Sequence, residues 1–231
     1  MITLAIDTSN QPMTIAIAKS EQLLGELVVN IKRNHSIQLM PAIESLFQQV
    51  EINPKDLELI VVADGPGSYT GLRIGMTTAK TLAWSLNIPI IPISSLKMVA
   101  ANFIYSDEYI APFFDARRGN VFTGLYKVNN GSIEEVIEDR HISMEDWLNE
   151  LKQLQRPIKF VTPSEQNFAP LIKEIFSDEA TLIDHFFNIP RASTLIAISD
   201  TEERKDPHLV NPRYLKITEA EANWLKNNKK G

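Results

Sequence analysis

Hydrophobic positions in the first hundred residues alternate between strand-like runs and helical spacing. ITLAID (Ile2–Asp7), MTIAIAK and QLLGELVVNI are short apolar stretches in series, the first two separated by a polar turn with Asn10 and Pro12. Short turns between such runs predict antiparallel strands. In HSIQLMPAIESLFQQV the apolar residues Ile37, Met40, Ile43, Leu46, Phe47 and Val50 recur at helical spacing. Pro41 falls in the first turns, where a helix tolerates proline best. LELIVVADG is too apolar to alternate and predicts a buried strand. A helix from about Thr70 to Leu86 follows, then a second buried strand, IPIIPIS. Strand, helix, strand in this order predicts a parallel βαβ unit.

From about Lys97 the pattern partly repeats. YIAPFFDA reads as a strand, and VFTGLYKV and SIEEVIEDRHIS flank the hairpin signal Asn129-Asn130-Gly131. MEDWLNELKQL is a helix with Ser143 at its N-cap. IKFVTPS is a strand and EQNFAPLIKEIF a helix. TEERKDPHLVNP is a polar connection, and TEAEANWLKNNKKG predicts a final helix fraying into a basic tail. The expectation is an α/β chain of two lobes, residues 1–100 and 101–231.

The glycine-rich turn between LELIVVADG and its helix invites a phosphate-binding reading. Gly65, Gly67 and Gly71 are spaced one residue too long for a dinucleotide fingerprint, and no carboxylate ends the next strand. Leu72 and Arg73 stand where a P-loop needs Lys and Ser or Thr. Pro66 and Thr70 replace the glycines that a nucleophile elbow places around its serine. What remains is a ridge of small residues, Gly71, Gly75, Ala79 and Ala83, on one helix face. Such a ridge fits a helix lying tight on its own sheet or a helix meeting another subunit. Backbone N–H groups around Ser68, Tyr69 and Thr70 remain a candidate anion contact.

The 231 residues carry 23 basic and 29 acidic side chains, a net charge of −6, and no cysteine. An acidic chain is a poor solo binder of nucleic acid. Absent cysteines exclude disulfides and thiolate chemistry. The chain opens directly on a strand, with no basic leader and no run of about 20 apolar residues, so a cytoplasmic protein without membrane contact is expected.

DGPGSYTGLRIGMTTAKTLA closely resembles the signature of the bacterial TsaB (YeaZ) family, and LAIDTS, DARRGNVFTGLY and NPRYLK (Asn211–Lys216) are similar to further family segments. The resemblance spans both lobes. It implies a two-lobed actin-like/sugar-kinase-like (ASKHA) fold with mixed sheets flanked by helices. It implies a non-catalytic scaffold subunit for forming N6-threonylcarbamoyladenosine in tRNA, partnered by the catalytic paralogue TsaD and the ATPase TsaE. Self-association through the same helices, and tRNA contact only within the complex, are further implications. No catalytic residue, metal ligand or cofactor is then expected on this chain, ATP and metal belonging to the partners. TsaD-type proteins carry two histidines four apart on the helix after the opening strands; here His35 is followed at that spacing by Leu39.

The implied docking face comprises Leu39, Met40, Ile43 and Phe47 from the first helix, with Gly71, Arg73, Ile74, Gly75, Thr78, Ala79 and Leu82 from the second. A bulky residue at Gly75 is expected to open that contact. Asp115, Arg117 and Arg118 form either a structural ion pair or a surface that meets a partner or RNA. An independent ATP-dependent small-molecule kinase, a peptidase-like protein and a homodimeric scaffold without a tRNA role are the rival readings.

Overall fold

The structure is a computed structural model that describes residues 1–31, 34–163, 167–177, 180–183 and 185–216. The first sheet contains β1 (Ile2–Asp7), β2 (Met13–Lys19), β3 (Gln22–Val29), β4 (Leu59–Gly65) and β5 (Ile90–Ser94), in the order β3-β2-β1-β4-β5. β1, β2 and β3 pair antiparallel, while β1, β4 and β5 run parallel. The helices α1 (His35–Gln49) and α2 (Tyr69–Leu86) make the crossovers, and α3 (Ser95–Ala101) leads out of β5.

The second sheet contains β6 (Tyr109–Arg117), β7 (Asn120–Asn129), β8 (Ser132–Ser143), β9 (Ile158–Val161) and β10 (Ala180–Leu182). Its order is β10-β9-β6-β7-β8. Counted from the far edge this is the first sheet's order again, with an antiparallel meander and then two parallel strands. The helices α4 (Met144–Lys152) and α5 (Ala169–Phe176) belong to this lobe, and α6 (Ala192–Ala197) follows it. This doubled topology of two mixed sheets is the two-lobed arrangement that the sequence pattern predicts.

Strand alternation explains how the layers stack. In β1, β2 and β4 the larger residues Leu4, Ile6, Ile15, Ile17, Ile60 and Val62 point to the face covered by α1 and α2. Ala5, Ala16 and Ala63 point the other way. These small side chains, set among Leu59, Val61, Ile91 and Ile93, let α3 and α6 approach this face closely. The same middle layer receives Ile110, Phe114, Phe122 and Tyr126 from the second sheet. The second sheet's outer face packs Phe113, Leu125 and Phe160 against Trp147, Leu148 and Ile172 of α4 and α5. The result is five layers: helices, sheet, helices, sheet, helices.

The first sheet is built from residues 2–94 and the second from residues 109–182, and the chain then returns to the first. α6 packs on β1 and β2. The amide of Ala192 donates to the buried Thr14 hydroxyl at 3.1 Å, and Arg191 pairs with Glu26 at 2.5 Å. The segment after α6 then crosses back along α2. The expected final helix from Thr218 lies outside the described residues. Sequence periodicity also missed α3 and α6, which at seven and six residues are too short to display a helical period. Among the described residues no helix is long and apolar enough to cross a membrane.

One polar network sits where the lobes meet. The Asp139 side chain, fully buried, accepts hydrogen bonds from Tyr126 Oη, Ser94 Oγ and Arg213 Nη2, each at 2.5 Å. Removing one partner of a buried charge pair leaves the other uncompensated. Asp139→Ala is expected to destabilise the chain by about 3 kcal/mol, read as a lower urea midpoint; an unchanged midpoint shows that the network does not tie the lobes.

Candidate functional site

The four family-like segments, dispersed from residue 4 to residue 216, converge at one end of the junction between the lobes. β1 ends in Asp7, Thr8 and Ser9, all buried. The glycine turn lies directly over them. Ser68 N donates to Ser9 O at 2.7 Å, and Thr8 Oγ1 donates to Gly71 O at 2.7 Å. A Cβ on Gly67 or Gly71 would overlap the carbonyl of Ser9 or Thr8. These glycines are therefore required by close approach to the chain's own first turn. Ser68 caps α2 by accepting from Gly71 N. Gly65 has φ 124°, in the region that disfavours side chains, and a Cβ there would strike the Arg213 carbonyl.

This geometry settles the ridge of small residues. Gly71, Gly75, Ala79 and Ala83 are buried against the chain's own β1 and its turn, and a Cβ on Gly75 would meet Thr8 Oγ1. The ridge is not a free face, which corrects the placement of Gly71, Gly75 and Ala79 on a docking surface. Leu39, Ile43 and Phe47 are likewise core residues under α1. The periodicity marks a helix's apolar stripe, and the first claim on that stripe is the helix's own sheet. A bulky residue at Gly75 therefore acts first on this lobe's packing.

The outer side of the same two helices is different. Ile37 is 71% exposed and Met40 48% exposed. Ile74, Thr78 and Leu82 of α2 are half-buried, and Arg73 is exposed. Ile37 belongs to the same helical apolar pattern but not to the face that the resemblance implies.

The strap formed by residues 205–216 completes the site. It runs beside α2 from Lys205, whose backbone pairs with Ile90, to Val210, whose carbonyl accepts from Lys80 Nζ at 2.5 Å. Arg213 N donates to Asp64 O at 2.7 Å, and its Nη2 reaches Gly65 O as well as Asp139. Tyr214 stacks on Tyr69, with centroids 4.7 Å apart, and accepts a hydrogen bond from Arg73 Nε at 3.2 Å. The Arg73 guanidinium lies 4.2 Å above the Tyr69 ring. Lys216 Nζ then reaches Ala116 O in the second lobe at 2.9 Å.

Beyond Ala116 lies the tip of the β6–β7 hairpin. Asp115 Oδ1 accepts from Arg117 N at 2.7 Å, and its other oxygen is 3.8 Å from Arg117 Nη1. Arg117 and Arg118 turn the chain with positive φ and are exposed. Asp115 thus holds the turn, while the arginines face outward. Ser68, Tyr69 and Thr70 are also exposed, at the start of α2. Tyr214, Arg213 and Lys216 were visible in NPRYLK as a segment without individual roles. Asp139 carried no signal, because only the packing of the two lobes and the returning strap brings it to Ser94 and Arg213.

The first-lobe turn does not fit a nucleotide phosphate. It lacks a glycine, its Ser9 amide already donates to Asp7 Oδ1 at 2.7 Å, and its Ser9 carbonyl is taken by Ser68. His35 Nε2 lies 2.9 Å from Asn10 O, beside this turn, and Leu39 is buried four residues on.

Two carboxyls here are pushed up to about 6. Burial is the main cause for Asp7, opposed by its bonds to Ser9 and by His35. Burial also dominates at Asp64, opposed by Arg213 and reinforced by Asp139. A carboxyl raised on folding binds protons in the folded state, so its contribution is present below the unfolded value near 3.8 and is lost as pH rises through 6. Asp7→Asn keeps the oxygen that accepts from Ser9 and cannot ionise. The variant is expected to gain on the parent, on the order of 2–3 kcal/mol, between pH 4 and pH 7. Urea unfolding at both values reads this difference; a constant difference rules out the buried charge.

Comparison with known proteins gives concordant results. Residues 22–224 match a family model described as TsaD, tRNA N6-adenosine threonylcarbamoyltransferase. The tRNA threonylcarbamoyladenosine biosynthesis protein TsaB of Bacillus subtilis (strain 168) is 43% identical over 229 residues, covering 99% of this chain and 100% of the relative. The TsaB protein of Buchnera aphidicola subsp. Schizaphis graminum (strain Sg) is 36% identical over 56% of this chain and 62% of its own length. A crystal structure described as an uncharacterized protein with similarity to peptidase YEAZ from Pseudomonas aeruginosa superposes with a TM-score of 0.80 at 22% identity. That match covers 93% of this chain and 99% of the other, and it shows the shared fold.

Proposed function

This chain belongs to the TsaB (YeaZ) family, and from that premise we propose that it is the non-catalytic scaffold subunit in the biosynthesis of N6-threonylcarbamoyladenosine in tRNA. Its partner is a TsaD-type threonylcarbamoyltransferase, joined by a TsaE-type ATPase. ATP and metal sit on those partners, and tRNA is met within the complex. The subunit works in the cytoplasm and pairs with a second copy of itself when alone.

The observation that carries the reading is the outer face of α1 and α2. Ile37 and Met40 are large apolar side chains in water, beside the half-buried Ile74, Thr78 and Leu82 and flanked by Arg73. An apolar centre with an arginine at its border has the composition of a protein interface. The closed first-lobe turn adds support, since ATP bound there would have to displace the glycine turn and the Ser68–Ser9 bond. That argues against the independent kinase. The docking face is therefore Ile37, Met40, Arg73, Ile74, Thr78 and Leu82, on a base of Leu39, Ile43, Phe47, Gly71, Gly75 and Ala79.

Ile37→Asp and Met40→Asp place charge on this face without touching the core. Each is expected to weaken binding to the TsaD relative by about 30-fold, or about 2 kcal/mol, measured by calorimetry, with an unchanged melting temperature. Gly75→Leu is expected to lower the melting temperature of the isolated chain. If both aspartate variants bind at wild-type strength, the docking face lies elsewhere.

A further inference from the structure

We propose that β3, the open edge of the first sheet, pairs antiparallel with β3 of a second copy, with the aromatic wall around Phe186 and Phe187 packing beneath the joined strands. The proposal rests on the self-pairing in the reading above, gives it a surface, and sets that surface apart from the docking face on α1 and α2.

β3 ends the strand order of the first sheet, and among the described residues it makes no backbone hydrogen bond on its outer side. An edge strand presents a row of unpaired N–H and C=O groups, which proteins guard with prolines, charges, shortness or cover. The other edges here are guarded. β5 contains Pro92, and its Ile90 exchanges backbone bonds with Lys205 of the strap at 2.8 and 3.1 Å. β10 has only three residues. β8 carries the exposed charges of Glu134, Glu135 and Glu138. β3 has no proline, and its one charged residue, Glu26, is turned inward. The Glu26 side chain is 6% exposed and accepts from Arg191 and from Ser193 N and Oγ. Past a register shift near Leu24, the residues from Gly25 to Val29 pair with β2 without a break.

The surroundings of this edge select an apolar occupant. Gly25 lies under Leu46 and Val50 of α1 on one face, while Glu26 and Val28 face the other way. On that second side a cavity of about 610 Å³ adjoins Val28, walled by Phe103, Ile104, Phe187, Ile189 and Ile198. The polar side chains of its lining are engaged within the chain. Asn102 donates to Ile189 O and accepts from Thr194 Oγ1, and Arg191 and Ser193 hold Glu26. An apolar side chain fits such a lining better than an anion or a polar ligand does. Phe186, at the same cavity, is 84% exposed, and Phe187 is 69% exposed. Knob and hollow on one surface are what a two-fold contact between identical chains requires.

A two-fold axis normal to the sheet runs the two β3 strands antiparallel and keeps each face of the sheet on its own side. The aromatic walls of both copies then come together beneath the joined strands, and α1, which packs on β2 and β3, stays above them. Ile37, Met40, Arg73, Ile74, Thr78 and Leu82 take no part. The edge therefore stays open when the TsaD relative is docked.

The test is sedimentation velocity on the whole chain over a range of concentrations, alone and then mixed with the TsaD relative. Phe186→Asp and Val28→Lys are each expected to raise the dimer dissociation constant at least about tenfold, and Ile37→Asp to leave it unchanged. In the mixture the parent is expected to assemble two copies of each chain, and Phe186→Asp one copy of each at the parental docking affinity. Hydrogen exchange reads the edge directly: alternate amides from Gly25 to Val29 slow with rising concentration in the parent and not in Phe186→Asp. A parent chain that stays monomeric at its highest soluble concentration overturns the proposal. So does a dimer that Ile37→Asp dissociates and Phe186→Asp does not, which puts self-association on the helices. Loss of TsaD binding in Phe186→Asp also overturns it, by giving the wall to that partner. If the parent does not bind the TsaD relative at all, the docking reading fails separately, and the dimer of the chain alone still decides the edge.

Discussion

The guanidinium of Arg213 occupies the one place where both lobes, the glycine turn and the C-terminal strap meet. It pairs with the buried Asp139 at 2.5 Å, stands 3.9 Å from Asp64 and donates to the Gly65 carbonyl. A buried carboxylate such as Asp139 is tolerable only when paired and hydrogen-bonded. Tyr126 and Ser94 supply the remaining bonds. Burial and the adjacent Asp139 hold the Tyr126 hydroxyl well above its ordinary value, so it stays a donor. The position of the strap, and through it Tyr214 and Lys216, follows from satisfying this one charge.

Around that point the architecture is set by side-chain size. Ala5, Ala16 and Ala63 on the inner face of the first sheet admit the short helices α3 and α6 as a middle layer. The two sheets thus share a core. The larger outer-face residues are covered by α1 and α2, whose inner stripes they consume. What the helices leave exposed includes Ile37, Met40 and Trp84, the first two on the proposed docking face. The proposed docking face and the packing stripe are adjacent on the same two helices, so a substitution on one does not report on the other.

The glycine turn serves a structural end. Its glycines press on the β1 turn and close it, and Ser68 caps α2 while its amide occupies the Ser9 carbonyl. The Ser9 amide is likewise spent inside the chain, on Asp7 Oδ1.

The sequence by itself determined the elements with a clear period and the family to which they belong. The opening strands, α1, the βαβ unit and the hairpin at Asn129–Gly131 were all legible, because each is a local consequence of apolar spacing and turn chemistry. The failure of Gly65, Gly67 and Gly71 to match any phosphate motif was legible too, being a matter of residue identity. Tertiary structure alone decided which side of each helix is free. Periodicity names an apolar stripe but not what covers it, so Gly75, Leu39 and Phe47 read equally well as interface or core. Long-range pairing is also silent in sequence. Asp139 with Arg213, Tyr69 with Tyr214, and Lys216 with Ala116 are separated by 74, 145 and 100 residues. Only the doubled sheet and the returning strap bring them within reach, since electrostatic and stacking forces act over a few ångströms of space, whatever the distance along the chain.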